Sequence, residues 1–213
     1  NKSKMPSPNV KKVKTKSSVV KGTGKATTKW YKKGKKKYYI SSPDQLAGLA
    51  DLVAKGISFK DKTIYLTKDL DLRKYSNWET IGFAYYDSQT ELKFTKMSKA
   101  FRGTFNGNNK TIYNLKIHEQ QNMCVGLFGA IGASGVVKNL NVKAGSVLGY
   151  AFVGGIAGIS YGTIDKCSFG GRVSGRQYVG GIVGSTNLAG AYDSKTDKKQ
   201  IKNCTNKGHI FAY

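Results

Sequence analysis

Acidic side chains are scarce in this sequence. Asp and Glu together number 12 against 36 Lys and Arg, and the formal charge is +24 over 213 residues. Such an imbalance draws polyanions through long-range steering and counterion release. Proline occurs 3 times, which excludes a proline-rich disordered chain. Cysteine also occurs 3 times, an odd number that makes no secreted disulfide framework. No apolar run approaches the ~20 residues of a membrane-spanning helix. The two histidines, His118 and His209, lack metal-ligand spacing. G-x-S-x-G, H-E-x-x-H, a phosphate loop and a Cys–His pair are all missing. No catalytic residue, metal or cofactor is therefore assigned, and the chain is read as non-enzymatic.

What is present is glycine, 26 of 213 residues, set in a recurring pattern. Val125-Gly-Leu-Phe-Gly129 recurs as Val153-Gly-Gly-Ile-Ala-Gly158 and as Val179-Gly-Gly-Ile-Val-Gly184. The intervals are 28 and 26 residues. A second half follows each copy: Val136–Val142, Thr163–Phe169 and Gln200–Asn206, with Thr111–Ile117 as an earlier one. In this alignment Leu115, Leu140, Cys167 and Cys204 are rungs of one inward ladder. Asn114, Asn139 and Asn203 are likewise equivalent. A period of this length marks one unit that buries its apolar face only against its neighbours. The unit is short, β-branched, alternating and broken by Gly, with no run long enough for a helix. These features read as an all-β parallel β-helix, a solenoid. Neighbouring Cys167 and Cys204 would stand ~4.8 Å apart. Parallel Cβ vectors are poor bridge geometry, so free thiols are expected.

The chain divides into three. Residues 1–29 are a basic low-complexity segment. Residues 1–37 hold 14 Lys and no acid, leaving 22 basic and 12 acidic residues for 38–213. Residues 30–62 carry strands and a capping helix. Thr27–Tyr31 and Lys37–Ile40 read as a hairpin or strand corner. Ser42, Pro43 and Gln45 form a helix start with a capping box, and Gly56 a stop. Leu46, Leu49, Ala50 and Val53 give that helix one apolar face, suited to covering the open end of a stack. Residues 63–213 are the coils. Ile64, Leu66, Leu70 and Leu72 share a parity, which places Asp69 and Asp71 on a solvated outer face. Tyr85–Lys99 reads as a loop excursion, Asn106-Gly107 as a tight turn, and Ser185–Lys199 as holding an 11-residue insertion. Further coils are expected beyond Tyr213.

These residues resemble the GLUG-motif proteins of bacterial cell surfaces. The motif stands here as Gly126-Leu-Phe-Gly129, with variants at Gly154 and Gly180. Tyr38–Ala47, Leu66–Leu72, Trp78-x-x-Ile81-Gly82 and Phe101–Gly107 are also similar to that family, and the likeness covers residues 38–206. The resemblance implies a right-handed β-helix on an exported protein, adhesin-like or accompanying immunoglobulin A-cleaving metallopeptidases. It supplies no catalytic residues and leaves residues 1–29 uncovered.

The candidate binding residues are Trp30, Tyr31, Lys32, Lys33, Lys35, Lys36 and Lys37. Aromatic faces interleaved with ammonium groups suit an anionic polymer. The competing reading packs Trp30, Tyr31, Tyr38 and Tyr39 on the first coil and leaves the lysines solvated. The expectation is a secreted or cell-surface module for adhesion or display. Its partners would be an acidic wall polymer, a host glycan or other surface proteins. A polysaccharide lyase or hydrolase acting on an acidic polysaccharide is the alternative, supported by fold analogy alone. Nucleic-acid binding through the lysine-rich N-terminal segment is the weaker one.

Overall fold

The computed structural model describes residues 18–87, 93–186 and 200–213. The helix Pro43–Ala54 forms where its caps require. The Ser42 hydroxyl accepts the Gln45 N–H at 3.2 Å, while the Gln45 amide oxygen accepts the N–H of Ser41, one residue before the cap, at 2.8 Å. Gly56, at φ +95°, ends the helix in the left-handed conformation that an L side chain resists. Leu46, Leu49, Ala50 and Val53 are buried, and so are Pro43, Ala47, Gly48 and Leu52. The helix is therefore covered on two sides rather than one. A Cβ on Gly48 would overlap the Thr27 carbonyl, because residues 26–28 lie directly across it. Thr27–Tyr31 is consequently no strand. It is a turn lying over the helix, tied by the Thr27 N–H to the Asp44 carbonyl at 2.9 Å.

The rest is all-β, built on parallel pairing. A 12-stranded sheet and a 3-stranded sheet hold the repeats, and one antiparallel pair stands apart. Val153 pairs with Val125 before it and Val179 after it. Ala157 pairs likewise with Phe128 and Val183. On another face the order is Tyr38, Ile64, Phe105, Val137, Ile164 and Ile201. The first five are buried, and the four from Ile64 to Ile164 are wholly so. Full burial of one such side chain is worth ~1.5–3 kcal/mol. Each repeat thus adds several apolar side chains to one continuous core. At the N-terminal edge Lys37–Ile40 pairs with Thr63–Leu66, and the helix lies between them in sequence. Val20–Lys21 pairs with Leu70–Asp71 beside them.

Two alignments differ from the sequence reading. Leu140 does pair with Cys167, and Cys204 follows, but Leu115 is not beneath them. Leu140 pairs with Lys110, whereas Leu115 accepts the N–H of Ser146 at 2.7 Å. The cause is a bulge: four residues from Asn106 to Lys110 span what two span from Lys138 to Leu140. Asn108 and Asn109 absorb the excess at φ 49° and 57°. These two asparagines make the turn expected at Asn106-Gly107. The left-handed column is accordingly Asn109, Asn139, Lys166 and Asn203, while Asn114 matches Ala144. All four supposed rungs still meet one interior: Leu115, Leu140 and Cys167 are core, and Cys204 packs against it.

Other segments depart further. Phe83–Asp87 and Lys93–Lys99 form an antiparallel pair rather than a loop. Asp71 is 4% exposed, not solvated. It accepts hydrogen bonds from Asn114 Nδ2 at 2.8 Å and from Arg73, while Asp69 accepts the Thr111 N–H at 2.8 Å. Both carboxylates latch one repeat to the next. Most of the expected insertion, residues 187–199, lies outside the described residues. Among those residues no helix is long and apolar enough to cross a membrane.

Candidate functional site

The aromatic–lysine stretch separates into two layers. Trp30 stacks on Phe59 at 6.1 Å and meets Tyr38 edge-on at 5.5 Å. Tyr31 stacks on Tyr38 at 5.5 Å and meets Phe59 edge-on at 5.6 Å. Trp30 and Tyr31 are therefore half-buried, each with a ring face stacked on the core cluster. Phe59, which completes the cluster, was not singled out in the sequence. It sits 29 residues beyond Trp30, and no local pattern links the two.

The lysines form the outer layer. Lys32, Lys33, Lys35, Lys36 and Lys37 are all exposed. The Tyr38 hydroxyl shares its one proton between the carbonyls of Lys32 at 2.7 Å and Lys35 at 3.0 Å, so the buried ring holds the cationic loop in shape. Burial, with the neighbouring Tyr31, raises the Tyr38 pKa and keeps that hydroxyl a donor. The exposed aromatic here is Tyr39, 60% accessible, stacked on Tyr65 at 5.4 Å on the outer face of the sheet. Tyr65 was also missed, although its period-two place opposite Ile64 and Leu66 signalled an outward side chain.

Acidic groups gather elsewhere. Beside the helix, a cleft of about 230 Å³ is lined by Asp51, Tyr75, Asn77, Trp78 and Glu79. A neighbouring cleft of about 540 Å³ adds Glu119, whose two oxygens accept from Asn77 Nδ2 and Asn122 Nδ2, each at 2.6 Å. A shallow groove of about 360 Å³ on another face holds Lys116, His118 and Arg172 with Ser146, Ser174 and Tyr213, and no Asp or Glu side chain lines it. In these three clefts, among the described residues, the lining carboxylate side chains stand apart from the lining cations, whereas the lyase reading looks for both in one. Among the described residues no three His, Cys, Asp or Glu gather as metal ligands.

The cysteines are free thiols. Hydrogen bonding between them pulls Cys204 below the ordinary thiol range and pushes Cys167 above it. Burial lifts Cys124 to about 12.

Comparison with known proteins gives a partial picture. No family model matches the chain. No solved structure matches it. Over 99 residues it is 42% identical to Halomucin of Haloquadratum walsbyi, which covers 46% of this chain and 1% of that protein. Over 139 residues it is 29% identical to a protein of Evansella cellulosilytica described as a Gly-rich membrane protein, covering 62% of this chain and 14% of that one. The chain spans a small part of either relative.

Proposed function

We propose that the chain is a segment of a right-handed parallel β-helix on a secreted or cell-surface protein of the GLUG-motif kind. It serves adhesion or display without catalysis, and its basic surface binds acidic wall polymers or glycans. The observation that carries this reading is the lysine loop, held open to solvent by Tyr38 over a rigid aromatic floor. A preformed cationic loop binds at lower ordering cost than a free tail. In-register parallel pairing of successive repeats supports the solenoid. The two relatives, Halomucin and a Gly-rich membrane protein, favour a surface location.

The test is binding of the full chain to immobilised acidic polysaccharides and poly(glycerol phosphate) across a salt series. Screening shortens from about 10 Å at 0.1 M to about 3 Å at 1 M. Affinity should therefore fall steeply with salt. An affinity that stays constant across the series refutes the electrostatic reading, and release of unsaturated oligosaccharides refutes the non-catalytic one.

A further inference from the structure

The lysines of residues 32–37 are broken in sequence by Gly34 alone, and the structure extends the cluster with residues the sequence keeps apart. One corner of the stack is defined by a backbone hydrogen bond from each repeat to the one before. The Thr63 N–H donates to the Lys36 carbonyl at 2.8 Å, and the Thr104 N–H to Lys62 at 2.9 Å. The Val136 N–H donates to Gly103 at 2.9 Å, the Thr163 N–H to Gly135 at 2.9 Å, and the Gln200 N–H to Gly162 at 3.3 Å. Lys36, Lys62, Gly103, Gly135 and Gly162 therefore occupy equivalent places in successive repeats, each step ~4.8 Å along the stack.

The two lysines lead the column, and more cations surround them. Lys32, Lys33 and Lys35 belong to the loop that ends at Lys36. Lys60 belongs to the tight turn that ends at Lys62, closed by the Lys62 N–H on the Phe59 carbonyl at 3.0 Å. The Arg102 N–H donates to the Ser58 carbonyl at 2.8 Å, which sets Arg102 beside the same turn. Asp61 is the one carboxylate within these segments. Among the described residues the ion pair found joins Arg73 to Asp71, away from this corner. Phe59, 1% exposed and packed on Trp30, Tyr31, Tyr38 and Phe101, fixes the turn from below. Past Lys62 the equivalent places are Gly103, Gly135 and Gly162, all buried against neighbouring atoms, so the cations of the column stand at its first two repeats.

We propose that this corner is a binding track for a linear polyanion, a chain of repeated phosphate or carboxylate groups running along the stacking direction. The cations that hold it are Lys32, Lys33, Lys35, Lys36, Lys60 and Lys62. The inference rests on the acidic-polymer reading above and adds the place and the direction.

The experiment compares three full-length proteins: the unaltered chain, a corner variant (K32Q/K36Q/K60Q/K62Q) and a control variant (K68Q/K74Q/K143Q/K207Q). The two variants lose the same charge, and the control lysines are all exposed. The probes are poly(glycerol phosphate) and polygalacturonate, read by titration at several salt concentrations, with a thermal melt to show that each variant folds. The corner variant should lose at least about tenfold in affinity, and its log–log salt slope should flatten by about 3 for four lost contacts. The control should lose less than about threefold. The tighter-binding probe identifies the anionic group. Equal losses in both variants overturn the track while leaving the general electrostatic reading standing. Failure of the unaltered chain to bind either probe overturns that reading itself.

Discussion

Gly154→Ala tests the stacking directly. Gly154 is the first glycine of the second copy of the motif, Val153-Gly-Gly-Ile-Ala-Gly158, and it pairs with Gly180 in the next repeat. A Cβ there would overlap the Ala157 carbonyl oxygen and lie 2.8 Å from both the Gly184 nitrogen and the Val183 Cα. All three atoms are backbone, and two belong to the following repeat. No side-chain rotation relieves the overlap, so the next turn of backbone must move. Overpacking of a tight interior costs ~1–3 kcal/mol, and a purely backbone clash belongs at the upper end. In a chain of this size each kcal/mol lowers Tm by ~2–4 °C, which predicts a loss of ~6–12 °C. Gly170→Ala is the matched control. Its Cβ would meet nothing nearer than the Val142 carbonyl at 3.7 Å, and its φ is not left-handed. That substitution should be neutral, or stabilising by ~0.4–1 kcal/mol through the unfolded state. Thermal melts followed by far-ultraviolet circular dichroism read both. Equal Tm values for the two variants would refute the claim that close backbone approach explains the recurring glycine.

Further outcomes follow from the core, the thiols and the titrating groups. Leu140→Ala, wholly buried in mid-stack, should cost ~2–5 kcal/mol. Ile201→Ala, 38% exposed on the last face, should cost under ~1 kcal/mol, and a denaturant titration giving the reverse order would contradict the assigned interior. Iodoacetamide at neutral pH should modify one thiol quickly, and peptide mapping should find it at Cys204; early modification of Cys124 or Cys167 would contradict the hydrogen-bonded pair. In alkali the unfolded chain releases the Cys124 proton near pH 9, while the folded chain keeps it to about 12. Stability from this group is complete below pH 9 and falls by up to ~1.4 kcal/mol per pH unit above it. Cys124→Ala should remove that portion of the alkaline slope, and an unchanged slope would sink the assignment.

How much of this was legible depended on whether a residue's neighbour lay in a visible repeat. Val125, Val153 and Val179 share a motif, and their spatial register follows their sequence spacing. Tyr38, Ile64 and Phe105 share a column without a common motif, so nothing in the sequence joined them. The helix was legible to the residue, because capping chemistry is local. Asp71 was not: its parity placed it outside, but Asn114 and Arg73 come over it and close it off. Burial would raise its pKa, yet those hydrogen bonds and the Arg73 charge hold it below the usual carboxylate range. Asn108 and Asn109 defeated the alignment of Leu115 for a related reason. Two residues placed in left-handed turns shift the count without disturbing the alternation on either side. The lysine loop was legible as charge, but its floor was not, since Phe59 joins Trp30, Tyr31 and Tyr38 only in three dimensions.

A stack of equivalent positions multiplies the consequence of a charge, and two columns use this differently. On the outer face Lys138 pairs with Asp165, which pairs with Lys202, so the signs alternate. Cross-strand pairs of opposite sign are the arrangement that stability favours. At the corner Lys36 is followed by Lys62, which repeats the sign. Like charges ~4.8 Å apart repel by at most about 0.9 kcal/mol in water, and salt reduces this. Neutralising Lys62 should therefore leave the fold unharmed or slightly stabilised, by under ~1 kcal/mol at low salt, while weakening polyanion binding. The two measurements, melting temperature and affinity, should move in opposite directions in the single variant Lys62→Gln. That opposition separates a column kept for binding from one kept for packing, because a packing residue would lose both together.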